Sequence, residues 1–337
     1  MKKEKIIDFA WEPITLNLKT TFRIAHGASD QRHNVLVHIG DGIGEAAGVV
    51  QHGENQASIM AYLEKIKDQS WSTKYLEDTI NNLPVGSQAG KAAIDIALHD
   101  HLGKELGIPL YELFGVNPQK APETAYTIAI DTPEAMAARA QEAQMPILKI
   151  KVGGENDEAI LSAIREASLA RLFVDANTAW TREEAAAIIP KIAQYGVEII
   201  EQPLAKGDIK GLRWLKEQHF GVEIFADENI RTSHDVARHA GAVDGVVIKL
   251  MKSGGLREAI RAINTAHALD MKVMISCMVE TSVGITAAAH ISPLCDYADL
   301  DGPLLIKNDP YEGIQYDTAQ IRLPALPGIG VKPRTNK

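Results

Sequence analysis

ILKIKV (147–152), RLFVDA (171–176), VEIIE (197–201) and VEIFADE (222–228) are four short runs of apolar and β-branched residues, each with a charged side chain at or near its end. Taking Lys149, Asp175, Glu201 and Asp227 as markers, they recur at a constant step of 26 residues. That interval holds one strand, one helix and two loops. The same pattern extends outward to TAYTIAI (124–130) on one side and to VVIKL (246–250), KVMISC (272–277) and YADLD (297–301) on the other. The intervening segments carry helix-start signals: Thr132 before Pro133, and Thr181 three residues before Glu184. Pro190 falls inside one of these segments, where a kink or an early end is expected. Apolar strands alternating with helices imply a parallel sheet covered on both faces, and eight repeats predict an α/β fold of the (β/α)8-barrel type over residues 121–303. An open doubly wound sheet is the alternative, but its glycine-rich first turn is missing.

Residues 1–120 lack this rhythm. NVLVHIG and IGEAAGVV flank Asp41 and Gly42, a hairpin signal, and two helical stretches follow, the second starting near Ser87 with Ile94, Leu98 and Leu102 on one face. GDGIGE (40–45) joins two strands and opens no helix, so it reads as a turn and not as a phosphate loop. These residues read as an α+β domain packed beside the barrel. The proline- and glycine-rich segment 304–337 is expected to return to it.

The chain has 337 residues, 45% hydrophobic and 23% charged, which is ample for a folded core. Its 35 basic and 44 acidic residues give a net charge of −9, so neither nucleic acid nor an anionic membrane is an expected partner. No stretch is long and apolar enough for a membrane helix. Two cysteines, Cys277 and Cys295, form no framework or CxxC motif, and MKKEKIIDFAWEP meets Asp8 and Glu12 before an export-signal core could form; a cytoplasmic location is expected.

Barrel chemistry sits at the C-terminal ends of the strands. Asp175, Glu201 and Asp227 close three successive strands there. Three converging carboxylates repel one another, and a hard divalent cation with oxygen ligands, Mg²⁺, relieves the repulsion; three independent structural acids are the plainer alternative. Lys149 and Lys151 share one side of the preceding strand, and Lys249 ends a strand on the far side of the ring. Desolvation, a cation and a like-charged neighbour would lower a lysine pKa toward that of a neutral base. Simple pairing with a carboxylate is the other reading for each. A carboxylate substrate on the metal would have an acidified α-hydrogen and a stabilised enediolate, exposed to a base on either face.

KIKVGG (149–154), VDANTAW (174–180), EQPL (201–204), ADEN (226–229) and IKLMKSGG (248–255) occur in the order of the lysine, metal-ligand and second-lysine motifs of the enolase superfamily, and GIPLYELFG (107–115) resembles that family's junction between capping domain and barrel. The chain resembles the superfamily's muconate-lactonizing-enzyme subgroup along its whole length. The resemblance implies a modified (β/α)7β barrel, one Mg²⁺ per subunit on Asp175, Glu201 and Asp227, and Lys151 and Lys249 as the acid/base pair. It also implies supporting roles for Lys149, Asn177 and Glu228. The mandelate-racemase subgroup is expected to carry a histidine where this chain reads ISCMVETS (275–282), and is disfavoured.

Asp299 and Asp301 alternate to the same side of the last strand and ask for a cation. They resemble the DxD motif of the dipeptide epimerases, which holds the substrate's α-ammonium group and leaves the C-terminal carboxylate to Mg²⁺. A solvated or loop-capping acid pair is the bland alternative. The loop TFRIAHGAS (21–29), with Arg23 and His26, resembles the loop that closes over the substrate side chain in L-Ala-D/L-Glu epimerases, although His26 or Gly27 stands where those carry an arginine. Thr127, Cys277 and Met278 are further substrate-binding candidates on resemblance alone. The expected reaction is inversion of the C-terminal residue of a dipeptide, which would serve peptidoglycan-peptide recycling if that dipeptide is Ala-Glu. The preferred dipeptide and any homo-oligomeric state are open. Competing readings are an o-succinylbenzoate synthase or other cycloisomerase, a glycosidase using Glu201 and Glu280, and a catalytically silent metal-binding protein.

Overall fold

In the computed structural model, which describes residues 7–335, the 26-residue rhythm folds into alternating strands and helices. The leading lysines of MKKEKI, which bear on the export reading, lie outside the described residues. The chain opens with three antiparallel strands, β1 (Phe9–Ile24), β2 (Gly27–Ile39) and β3 (Gly42–Ala47), followed by α1 (Gln56–Lys65), α2 (Leu76–Asn81), α3 (Gln88–Leu106) and α4 (Leu110–Leu113). Ser87 caps α3, and small residues along that helix let it approach β3 closely. A Cβ on Gly42 would lie 2.0 Å from the Ala97 carbonyl, so only glycine fits that turn.

The stretch 21–29, expected as a loop, is paired strand for most of its length. Ile24 pairs with Gly27, and Ala25 and His26 alone make the turn, so this stretch is the tip of a long β1–β2 hairpin. Its alternating threonines and apolar residues suit a pleated ribbon, and a two-residue connection matches the strand twist.

The parallel strands are β4 (Tyr126–Ile128), β5 (Ile147–Lys151), β6 (Arg171–Asp175), β7 (Val197–Glu201), β8 (Glu223–Ala226), β9 (Gly245–Lys249), β10 (Lys272–Ser276) and β11 (Tyr297–Asp299). Between them lie α5 (Pro133–Ala143), α6 (Asp157–Ala167), α7 (Arg182–Ala193), α8 (Ile209–Glu217), α9 (Ser233–Arg238), α10 (Leu250–Ser253), α11 (Leu256–Ala268) and α12 (Ser282–Ala289), with α13 (Gly302–Leu305) after β11. Each strand neighbours the next in chain order. The Ala125 N–H donates to the Ala298 carbonyl at 2.9 Å beside a Thr124–Ala298 bridge, joining first strand to last and closing the ring. Monotonic order with closure rules out the doubly wound sheet.

Thr132 and Thr181 cap α5 and α7, the latter in a reciprocal capping box with Glu184. Pro190 does not end α7, which runs on to Ala193; the proline falls in the last turn, where few intrahelical bonds remain to be lost. Inside the barrel, Ala125, Ile147, Phe173, Ile199, Phe225, Val247 and Met274 form one buried apolar layer, with Tyr297 packed against it. Short strands β12 (Tyr311–Glu312), β13 (Gln315–Asp317), β14 (Gln320–Arg322) and β15 (Lys332–Pro333) follow, and the Leu110 N–H donates to the Gly328 carbonyl at 3.0 Å, bringing the C-terminal segment back to α4. Among the described residues no helix is long and apolar enough to cross a membrane.

Candidate active site

Side chains on a strand alternate, so the position two residues beyond each member of the apolar layer faces the same interior, nearer the C-terminal mouth. Those positions are Thr127, Lys149, Asp175, Glu201, Asp227, Lys249, Ser276 and Asp299, with Lys151 one further step along β5. All are buried. Asp227 lies one residue past β8, and Asp301 lies two residues past β11, immediately before α13. The expected strand alternation therefore does not place Asp301. Its carboxylate is instead drawn back by the Thr127 N–H, which donates to Oδ2 at 2.7 Å.

Four lysines thread between the carboxylates. Lys149 Nζ lies 2.8 Å from both Glu201 and Asp299 and 3.4 Å from Asp175. Lys151 reaches Asp175 at 2.5 Å and Lys249 reaches Asp227 at 2.8 Å. Lys252, which the sequence reading did not single out, pairs with the Asp227 carboxylate and donates to the Asp227 carbonyl at 2.6 Å. Its signal was its place in IKLMKSGG, one helical turn beyond Lys249. Burial pulls the Lys249 pKa down, but the Asp227 carboxylate outweighs it and leaves the pKa above the ordinary lysine value. Spacing along the sequence did not reveal this carboxylate partner at bonding distance.

The acids split. Burial would raise Asp175 and Asp227, but Lys151 for the first and Lys249 with Lys252 for the second hold both below the usual range. Glu201 is pushed well up by burial and by Asp175. Burial, then the neighbouring Asp227, lifts Glu228 to about 7; burial, then Asp299, lifts Asp301 to about 7. Asn177 donates its backbone N–H to Asp175 at 2.9 Å and its side-chain amide to Glu228 at 3.2 Å.

Among the described residues, no three His, Cys, Asp or Glu side chains are gathered as a ready metal cluster, because lysine ammoniums stand among the acids. The donor chemistry nonetheless fits a hard cation. Glu201 Oε1 is buried with no hydrogen-bond donor and Oε2 meets only the Lys149 ammonium, at 2.8 Å, so the residue has acceptor capacity that the protein leaves unused.

The cavity above this layer takes its floor from the four lysines with Asp227, Glu228, Asp299 and Asp301, and its roof from Phe22, Ile24, Arg32, Val49, Gln51 and His52 of the N-terminal domain. Cys277, Met278 and Thr127 line it as expected. Arg23 and His26 do not. Arg23 is exposed, and His26 bonds through Nε2 to the Asn177 carbonyl at 2.7 Å and to Thr178 at 2.9 Å, pinning the hairpin tip to the barrel. The arginine that faces the cavity is Arg32 on β2, which only the hairpin register reveals. Glu280 is buried beside Glu45, accepts from the Met278 N–H at 2.8 Å and does not line the cavity, so the glycosidase reading loses its second carboxylate.

Residues 12–115 match the mandelate racemase/muconate lactonizing enzyme N-terminal domain, and residues 132–337 match the enolase C-terminal domain-like family. The chain belongs to the enolase superfamily. This member is 40% identical to an L-Ala-D/L-Glu epimerase of Bacteroides thetaiotaomicron over 95% of its own length and 86% of the relative's. The substrate-liganded L-Ala-D/L-Glu epimerase of Bacillus subtilis superposes with a TM-score of 0.92 at 32% identity, covering 97% of this chain and 98% of that one. A dipeptide epimerase of Enterococcus faecalis, complexed with Mg and L-Leu-L-Tyr, superposes with a TM-score of 0.91 at 32% identity, over 97% of this chain and 99% of that one. Among members of this superfamily, then, both acidic and hydrophobic dipeptide enzymes resemble it.

Proposed function

We propose that the protein is a Mg²⁺-dependent dipeptide epimerase that inverts the α-carbon of the C-terminal residue by a two-base 1,1-proton transfer. The observation that carries this reading is topological. Lys151 ends β5 and Lys249 ends β9, four strands apart in a ring of eight, so the two amines face each other across the mouth with the acids between them. One takes the α-proton and the other returns a proton to the opposite face. Asp175, Glu201 and Asp227 would hold one Mg²⁺ per subunit, which supplies Lewis-acid stabilisation of the substrate carboxylate as negative charge builds on it. Lys149, fixed among Glu201, Asp299 and Asp175, offsets the repulsion between those acids. Asp299 and Asp301 receive the α-ammonium group, a role that favours a dipeptide over a dianionic succinyl substrate. In this reading residues 121–303 carry the chemistry, and residues 1–120 with 304–337 close over the substrate.

The test is incubation with Mg²⁺ and a dipeptide library in D₂O, following α-deuterium by mass and configuration by NMR. Incorporation accompanied by inversion is expected. Exchange with retained configuration would remove one of the two bases, and no exchange across the library at saturating Mg²⁺ would overturn the reading.

A further inference from the structure

GDGIGE (40–45), read as a turn, ends in an acid that the proposed reaction does not use. Its glycines let β3 lie against α3, for a Cβ on Gly42 or Gly44 would stand 2.0 Å from a carbonyl oxygen of that helix. Glu45 alternates to the other face, toward the barrel, and is wholly buried.

There it meets the loop between β10 and α12. Thr281 donates its N–H to both Glu45 oxygens at 3.0 Å and its hydroxyl to Oε2 at 2.6 Å, and the Gly284 N–H donates to Oε2 at 3.0 Å. Asn34 on β2 donates its side-chain amide to Glu45 Oε1 at 2.8 Å and to the Val279 carbonyl at 3.0 Å. Two strands of the N-terminal domain thereby hold residues 279–284. The same loop begins with Cys277, Met278 and Val279, which line the cavity, and follows Ser276, whose hydroxyl donates to Asp299 at 2.7 Å.

Only an acceptor suits the place that Glu45 fills. Its bonded neighbours all donate to it, so a glutamine would turn its NH₂ toward at least one donor. A Cβ on Gly284 would press on both Glu45 and Glu280, which makes the two acids close neighbours. Burial, then Glu45, pushes Glu280 well above the usual carboxyl range, so Glu280 keeps its proton. Burial raises Glu45 as well, opposed by the bonds from Thr281, Asn34 and Gly284. A buried acid set beside another is costly, and what this one secures is the loop.

We infer that Glu45 is a positioning residue for the reaction: from the N-terminal domain it sets the β10–α12 loop, and with it the depth at which Cys277 and Met278 meet the substrate. Asn34 lies two residues beyond Arg32 on the same face of β2, so roof and loop are set by one piece of sheet. The inference rests on the dipeptide epimerase reading.

The experiment measures kcat and KM for L-Ala-L-Glu and L-Ala-L-Leu with Mg²⁺ in the wild-type protein, Glu45→Gln, Glu280→Gln and Thr281→Val, each per folded molecule counted by near-UV circular dichroism. Hydrogen exchange of the 281 and 284 amides is followed alongside. Glu45→Gln should lower kcat roughly 10²-fold for both dipeptides, the scale for a small displacement near reacting groups, with KM little changed and both amides exchanging faster. Glu280→Gln puts an uncharged amide where a protonated acid stands and should retain kcat. Thr281→Val removes the 2.6 Å bond alone, should lose less than Glu45→Gln, and decides the matter if that variant does not fold. Wild-type kcat per folded molecule in Glu45→Gln, or in Thr281→Val where it stands in, would make Glu45 merely structural and overturn the inference, as would an equal fall in Glu280→Gln. A wild-type protein that epimerises neither of these dipeptides nor any other overturns the epimerase reading, while the exchange of the two amides still reports whether Glu45 holds the loop.

Discussion

Two layers inside the barrel are separated by a single alternation of the strand and differ in almost all their chemistry. Ile147, Phe173, Ile199, Phe225 and Val247 form the lower layer; two residues on, Lys149, Asp175, Glu201, Asp227 and Lys249 form the upper. The lower layer is stabilised by its own contacts, since each large apolar side chain removed from water contributes about 1.5–3 kcal/mol. The upper layer is as deeply buried, yet every charge in it needs an opposite charge nearby: Lys151 for Asp175, Lys249 and Lys252 for Asp227, Lys149 for Glu201 and Asp299. Desolvation takes back much of what such pairs gain, so ion pairing is a weak stability argument for that layer. The difference shows where the barrel is built for rigidity and where for reaction.

Substitutions that reverse the two layers' effects would break this contrast. In the upper layer, Lys249→Met should lower epimerisation on the order of 10²–10⁴-fold, the usual worth of a general acid or base. Its stability to urea should fall little or rise, because an apolar stem of similar volume avoids the desolvation cost and Lys252 still pairs with Asp227. NMR of the interconversion, alongside urea unfolding of the same preparation, checks both. Full interconversion by Lys249→Met would remove the second base. In the lower layer, Phe225→Ala should cost about 3–5 kcal/mol in the same unfolding experiment through the cavity it leaves. A smaller loss there than at Lys249 would invert the comparison.

The lower layer and the ring were legible in the sequence because both rest on periodicity: a strand signal every 26 residues, with capped helices between. The acids and lysines were legible for the same reason, since a charge at the end of an apolar run stands out. What escaped depends on contacts across long separations. The bond from the Lys249 ammonium to the Asp227 carboxylate, 22 residues back in sequence, was not visible in the spacing. Asp301 reaches the site through the Thr127 N–H and not through strand alternation. Arg32 was hidden because its direction depends on the register of a hairpin whose tip reads locally as a loop of small and polar residues. Arg23 and His26, nearer the expected position in sequence, face away from the cavity for that same register reason.

The contrast is sharpened by one residue that belongs to the lower layer without contributing a side chain. Gly245 begins β9 two residues before Val247, opposite Phe225, and a Cβ built there would lie 2.3 Å from the tip of the Phe225 ring. Its φ is not positive, so the requirement is one of space and not of backbone conformation. Phe225 occupies the volume that a side chain at 245 would fill. Gly245→Ala should therefore destabilise by about 1–3 kcal/mol through overpacking, less than the cavity left by Phe225→Ala. Because both changes act on one shared volume, they should not add. Gly245→Ala combined with Phe225→Leu should be more stable than the sum of the single losses, read as a double-mutant cycle in urea. Additive losses would mean that the clash at 245 is relieved by backbone movement, and that the lower layer is less rigid than its packing implies.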